Sequence, residues 1–550
     1  MSKNNSYIKI IIVLFSLIAI NFIGRKVYKR FDLTQDQRYT LSDETKEIIE
    51  DIEDPIAIKV YLEGDFPAEF KRIQLETKQH LKELNSLNDQ IQFRFVNPLT
   101  KQNELIKKGL QPSRLSVEED GQVSQTIIFP YAEIIYKDKS DYVSLLSNAV
   151  AGSQEEQLLN SIENLEYAFS DAILKLTSEK NKKIAILRGN GELEDIYLYS
   201  YLKQLGEYYH LAEFTLDSIE RDPQKTLQDL RYYDMAIIAK PTQSFSENEK
   251  FALDQFITNG GKTLWMIDQV YADMDSIMQD GKMMIYNRDL KLTDLLFQYG
   301  VRINYDITKD LYSSTIRLAS GNTGNQTQFQ DFTWPYFPLI VSKNDHPVST
   351  NLDPILLKFP SSIDTLKNDI KKTVLLQSSD LAKPLGTPVE VSLNEITQKQ
   401  LKKNYTNGNK IFGVLLEGNF KSAYADRVKP FEIDNFKKEN KNKMVIISDG
   451  DIIANEVFRG EPLDLSKDKF TNQRYGNKEF LMNTTHYLLD DSGILNLRSK
   501  NLQIQFLDKQ KAYSERGFWQ IFNLILPLVF LLIFGIIFKF IRKRKYALRI

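Results

Sequence analysis

Between Lys183 and Asp268 short apolar runs alternate with amphipathic stretches, and this alternation constrains the fold more than any other feature of the chain. Lys183–Arg188 (KIAILR) is continuously apolar at its centre, the pattern of a strand buried on both faces. Glu213–Leu216, Asp234–Ala239 (DMAIIA) and Lys262–Asp268 (KTLWMID) read as further strands. Helices are expected between them, over Glu192–Tyr209 and Pro223–Arg231. Ser246-Glu247-Asn248-Glu249 is a capping box that opens a third helix, which Gly260-Gly261 ends. Strands alternating with helices specify a mainly parallel sheet covered on both faces. A helix over Leu290–Tyr299 precedes a strand at Val301–Tyr305, and a less regular Asn-, Gln- and Gly-rich stretch surrounds Ser320–Asp331. Beyond it come strands at Thr373–Gln377, Ile411–Glu417 and Met444–Ser448, a helix over Glu479–Leu489 and a strand at Leu502–Leu507. The α/β domain is therefore expected to occupy residues 181–510.

A smaller α/β part is expected over residues 34–150. Ser42 can cap a helix whose first turn carries Asp43 and Glu44. Ile56–Leu62 and Ile91–Val96 alternate like strands, and between them Phe70, Ile73, Thr77, Leu81, Leu84 and Leu87 make a helical stripe. Strands at Gln125–Phe129, Tyr131–Tyr136 and about Tyr142–Leu146 follow. Strand, helix, strand and hairpin in that order resemble a thioredoxin-like domain. The chain has no Cys, so this would be a binding or structural copy without redox chemistry. Residues 151–180 form a connecting helix from about Gln154 to Thr177, striped by Leu158, Ile162, Leu165, Phe169, Ile173 and Leu176.

Both ends read as membrane segments. Tyr7–Ile23, within an N-terminal anchor of residues 1–30, is apolar over the short limit for a spanning helix. Phe518–Ile541 is longer, with Trp519 suited to the interface. The tail at residues 542–550 carries Arg542, Lys543, Arg544, Lys545 and Arg549 and no acid. Such a tail is expected in the cytoplasm. Two spans then put both termini there and the intervening body outside the cytoplasmic membrane.

Composition excludes several chemistries. With 71 Lys+Arg against 73 Asp+Glu the net charge is −2, which excludes coating of nucleic acid by bulk charge. The absence of Cys excludes thiol nucleophiles, Cys-ligated zinc and iron–sulfur clusters. Gly261-Lys262-Thr263 resembles the end of a phosphate-binding loop, but it leads into a strand and the first glycine of that motif is replaced by Phe256. No ATPase motif, nucleophile elbow, metal site or cofactor site is assigned. Candidate binding residues follow from the rule that open parallel sheets bind ligands at the carboxyl ends of their strands. They are Gly189, Asn190, Gly191, Glu192, Asp268, Asp449 and Asp451, with Lys240-Pro241-Thr242 in a neighbouring loop. Ordinary turn chemistry accounts for the same residues.

Several segments point to a known family. Arg30-Phe31-Asp32-Leu33-Thr34, Arg38-Tyr39-Thr40-Leu41-Ser42 and Lys59-Val60-Tyr61-Leu62-Glu63-Gly64-Asp65-Phe66-Pro67 are three of them. Leu416-Glu417-Gly418-Asn419-Phe420-Lys421-Ser422, Ile447-Ser448-Asp449-Gly450-Asp451-Ile452-Ile453-Ala454-Asn455 and Asn472-Gln473-Arg474-Tyr475-Gly476-Asn477-Lys478-Glu479-Phe480 continue the series. Leu488-Leu489-Asp490-Asp491-Ser492-Gly493 and Leu497-Arg498 end it. Together they resemble the gliding-motility ABC transporter auxiliary component (GldG family). The resemblance implies an extracytoplasmic, substrate-binding-like subunit beside a membrane permease and a separate cytoplasmic ATPase. It also implies a glutamine-amidotransferase-like α/β fold without the catalytic cysteine. A structural tether of the cell envelope, or an anchored hydrolase using the strand-end acids, are the competing expectations.

Overall fold

The computed structural model describes residues 15–16, 40–64, 68–119, 122–146, 154–323, 326–344, 346–471, 473–489, 493–499 and 509–546. The chain separates into two bodies, Met1–Lys500 and Asn501–Ile550.

The first body is built on two mixed α/β layers. In the smaller, β1 (Ile56–Val60) runs parallel to β2 (Ile91–Phe95) and antiparallel to β5 (Tyr131–Tyr136), which pairs with β6 (Lys139–Ser144). Ser42 caps α1 (Asp43–Glu50) by accepting the Thr45 N–H. The stripe of α2 (Ala68–Leu87) packs as its spacing predicts, with Phe70, Ile73, Thr77, Leu81 and Leu84 buried. The strand expected at Gln125–Phe129 belongs elsewhere. It is part of β4 (Gln122–Ile128), which pairs only with β3 (Ser113–Glu119) in a separate hairpin.

The connecting helix is two helices, α3 (Gln154–Glu163) and α4 (Leu165–Thr177), parted at Asn164. Asn competes with the helical backbone for hydrogen bonds and favours caps over interiors. The apolar stripe nevertheless continues across the break: Leu158, Ile162, Leu165, Phe169, Ile173 and Leu176 are all buried.

In the larger layer the parallel strands are β7 (Lys183–Arg188), β8 (His210–Thr215), β9 (Met235–Ala239) and β10 (Lys262–Met266). They are joined by α5 (Asp195–Tyr208), α6 (Pro223–Leu230) and α7 (Glu247–Thr258). Later come α8 (Thr293–Gln298), β11 (Val301–Ile303) and a long hairpin, β12 (Ser313–Thr323) with β13 (Gln326–Ile340). β14 (Ile363–Thr365), β15 (Lys371–Gln377), β16 (Ile411–Lys421), β17 (Glu439–Ile447) and α9 (Asn477–Leu489) complete it. The strand order is β11-β14-β16-β17-β10-β9-β7-β8, with β15 on β16. Five neighbours, β17 through β8, are parallel; β16 reverses direction against β17, and β14, β15 and β11 continue antiparallel. The parallel expectation therefore holds for β7, β8, β9, β10 and β17, and fails for β11, β14, β15 and β16.

Two faces of this sheet are buried because successive side chains point to opposite sides. Ala185, Leu187, Ile238 and Trp265 join Phe251 and Phe256 of α7 on one face. Ile184, Ile186, Ile237 and Leu264 join Leu198 and Tyr201 of α5 and Phe480 and Leu481 of α9 on the other. Each such side chain contributes roughly 1.5–3 kcal/mol by leaving water.

Two further expectations change. The helix expected from Leu290 starts at Thr293. The Ser320–Asp331 stretch, read as irregular, lies in the β12–β13 hairpin. Its outer half is exposed on both faces, so it lacks the apolar alternation that betrays a strand. The strand expected at Leu502–Leu507 lies outside the described residues.

A short helix at Ile494–Ser499 brings the body's end back to its beginning. Ile494, Leu495 and Leu497 pack with Tyr167 of α4, and the Arg498 guanidinium lies 4.8 Å over the Tyr167 ring.

The second body contains α10 (Arg516–Tyr546), of which Arg516–Lys545 is long and apolar enough to cross a membrane. At 1.5 Å per residue it reaches about 46 Å, more than the roughly 30 Å of hydrocarbon. The expected first span, Tyr7–Ile23, lies outside the described residues apart from Phe15 and Ser16.

Candidate functional site

Because β17, β10 and β9 are adjacent and parallel, the loops after them converge. Asp268 follows β10, Asp449 and Asp451 follow β17, and carboxylate oxygens of all three lie within 4.8 Å of one another. Lys240 follows β9 and enters the same space. Its backbone takes a left-handed conformation (φ 56°), and its N–H donates to Met266 O at 2.9 Å. Its Nζ then sits 2.5 Å from Asp451 Oδ1 and 3.4 Å from Asp268 Oδ2. Gly450 makes room for it: a Cβ there would stand 2.5 Å from Lys240 Cγ.

The carboxylates are also held by backbone donors. Asp449 accepts the N–H of Lys358 at 2.6 Å and that of Asp451 at 2.7 Å. Asp268 accepts the N–H of Gly450 at 2.6 Å. Burial, followed by the charges of Asp451 and Asp268, pushes the Asp449 carboxyl well above its ordinary range. Burial raises Asp268 as well, against the opposing pull of Lys240. For Lys240 burial alone would lower the ammonium, but Asp451 and Asp268 outweigh it and leave it raised. Three carboxylates at this spacing are a donor set for a hard divalent cation. The Lys240 ammonium already occupies that electrostatic role, so a cation would have to displace it.

The other candidates form a separate turn, in which Glu192 Oε1 is buried without a hydrogen-bond partner. Gly189 and Gly191 have φ of +112° and +71°, and a Cβ on Gly191 would fall 2.1 Å from Thr242 Oγ1. The Asn190 carbonyl accepts the N–H groups of Thr242 at 2.9 Å and Gln243 at 2.8 Å. The Asn190 N–H donates to Glu192 Oε2 at 2.8 Å. Burial raises the Glu192 carboxyl. The structure thus unites Asp268, Asp449 and Asp451, and sets Gly189–Glu192 in the loop that packs on Thr242. Sequence reasoning named the Lys240 loop but not the lysine's place among the acids. Only the strand-end position of a lone Lys pointed to it.

A cavity of about 630 Å³ lies away from these acids. Tyr142, Lys175, Tyr199, Tyr208 and Lys478 are among its lining residues.

Residues 181–484, more than half of the chain, match a family model described as an ABC-type uncharacterized transport system. The chain belongs to that family. Membership in this ABC transport family implies association with an ABC transporter system. Residues 35–135 match a second family model, a domain of unknown function (DUF7088). No curated protein matches the chain. Among solved structures, "mmIFT52 N-terminal domain" is similar at 12% identity, covering 59% of this chain and 100% of that one at a TM-score of 0.29. A likeness that slight carries no argument. The ABC transport match spans β7 through most of α9, and so contains every candidate residue above.

Proposed function

We propose that this protein is a membrane-anchored, extracytoplasmic auxiliary subunit of an ABC transport system associated with bacterial gliding motility. It binds or couples and hydrolyses no ATP itself. One observation carries the reading: the body of the large sheet belongs to the ABC transport family. The strand-end acids support a non-catalytic role, because Lys240 and backbone N–H groups already engage them. The partners are a permease in the bilayer and a separate cytoplasmic ATPase, with no nucleic acid.

The rest of the reading has its own supports. The strand order β2-β1-β5-β6, with one parallel and two antiparallel pairings, agrees with a thioredoxin-like N-terminal domain. The two family matches, at residues 35–135 and 181–484, agree with two domains joined near 151–180. The helix over Arg516–Tyr546 and the basic residues at its end support a C-terminal span with a cytoplasmic tail. A first span at Tyr7–Ile23 then completes an inner-membrane topology with the body in the periplasm.

Purification from native membranes in mild detergent tests the function. A permease and an ATPase are expected to travel with the protein; a chain recovered alone refutes the proposal. The chain has no Cys, so single engineered thiols in the body and the tail report topology directly. Labelling of the tail, but not the body, by an impermeant maleimide in intact cells refutes the orientation.

A further inference from the structure

A cavity of about 380 Å³ opens beside α1, where the chain enters the first body. Its lining is acidic. Glu44, Glu47 and Asp51 recur at spacings of three and four, so they share one face of α1 and its cap with Ile48. Glu53 and Asp54 also line the cavity, and no cation is among the described lining residues. Lys137 engages Asp54 at 2.6 Å, whereas Glu44, Glu47, Asp51 and Glu53 make no ion pair among the described residues. The last turn of α1 carries no basic residue, so the negative end of its dipole adds to these carboxylates. Ile48, Ile52, Tyr136 and Leu174 give the lining an apolar share. Such a face suits an occupant that is several times positive and partly apolar.

The sequence supplies one close by. Arg25-Lys26-Val27-Tyr28-Lys29-Arg30-Phe31 lies outside the described residues; it carries four cations, three apolar side chains and no acid. Ten positions separate Arg30 from Thr40, a reach of up to about 35 Å, against about 12 Å for the length of α1. A tether that short holds the segment at an effective concentration on the order of millimolar. Exposed ion pairs that are weak singly then suffice together, and any other basic chain must compete with the tethered one. The topology proposed above adds a reason. It leaves these four cations on the outer side of the first span, where the positive-inside rule disfavours them, and the carboxylates give them partners there.

We propose that residues 25–31 dock on the acidic face of α1, with their cations on Glu44, Glu47, Asp51 and Glu53. Docking takes up the slack between a first span ending at Ile23 and the body. Crosslinking of the full-length protein in an uncharged detergent tests it. The chain has no Cys, so Tyr28→Cys and Ser178→Cys introduce the only two thiols; Ser178 is exposed and lines the cavity. A short bismaleimide is expected to join them within one chain. Glu47→Lys with Asp51→Lys is expected to slow the crosslink tenfold or more, and 1 M salt should slow it as well. Adding Lys26→Glu and Lys29→Glu to the reversed face should restore the rate. Glu47 and Asp51 are exposed, so the melting temperature of the reversed variant should match that of the native protein. The proposal is overturned if no crosslink forms, if the crosslink joins two chains, or if charge reversal leaves its rate unchanged. The purified chain alone gives this readout, so the result is separate from the partners and the orientation proposed above.

Discussion

Glu133 in the smaller layer and Lys240 in the larger are charged centres of opposite sign. In the smaller sheet Glu133 is ringed by donors: Tyr61 Oη at 2.7 Å, Lys59 Nζ at 2.9 Å, Tyr142 Oη at 3.0 Å and Lys108 Nζ at 3.3 Å. In the larger sheet Lys240 is ringed by carboxylates. Burial alone would raise Glu133, but its four donors overcome it and pull the carboxyl down to about 2. Burial and like charge hold Asp449 well above its ordinary range. The same physics, a charge desolvated among partners, thus gives opposite responses to pH. Glu133 contributes stability that is complete above its unfolded value of 4.5 and lost as pH falls through about 2. Asp449 contributes stability that is complete below 3.8 and lost as pH rises through its raised folded value.

The most damaging change should be Lys240→Met. Removing the cation leaves carboxylates uncompensated in a buried site, a loss of about 3–5 kcal/mol. Urea unfolding at pH 7 measures it, and the deficit should shrink toward pH 5 as the acids take up protons. A deficit independent of pH would mean that the acids are not coupled through the lysine. Next comes Glu133→Gln, expected to cost about 2–3 kcal/mol at neutral pH, since hydrogen bonds to a charged group are the strong ones. Its effect should persist at pH 5 and fade only as pH falls below 4.5, a lower window than that of Lys240→Met. If both variants fade over the same pH range, the contrast between the layers is wrong. Gly191→Ala tests the loop beside the acids. Its φ of +71° and its contact with Thr242 should make it cost about 1–3 kcal/mol by thermal melting. Ser246→Ala removes half of the capping box on α7 and should cost about 1 kcal/mol. A cost as large as that of Glu133→Gln would show that the cap carries more than one hydrogen bond.

What could be read beforehand follows from where burial leaves a trace. KIAILR and DMAIIA are legible because both faces of those strands are covered, so Ile184–Leu187 and Met235–Ala239 are apolar throughout. The stripe of α2 is legible because one face only is buried. The outer half of the β12–β13 hairpin is not, since solvent on both faces removes any pattern. Asp268, Asp449 and Asp451 could be placed together because strand ends in a parallel sheet converge. Lys240's partnership could not, because it joins loops 211 positions apart.

The short helix at Ile494–Ser499 has a mechanical meaning. It is the last described segment before α10, and it clasps Tyr167 rather than the large sheet's strands. Tension travelling along the backbone from residue 501 therefore reaches the seam between the two layers first. Arg498, tied to Glu479 at 2.6 Å and stacked on Tyr167, is the latch such a pull would load before any strand felt it.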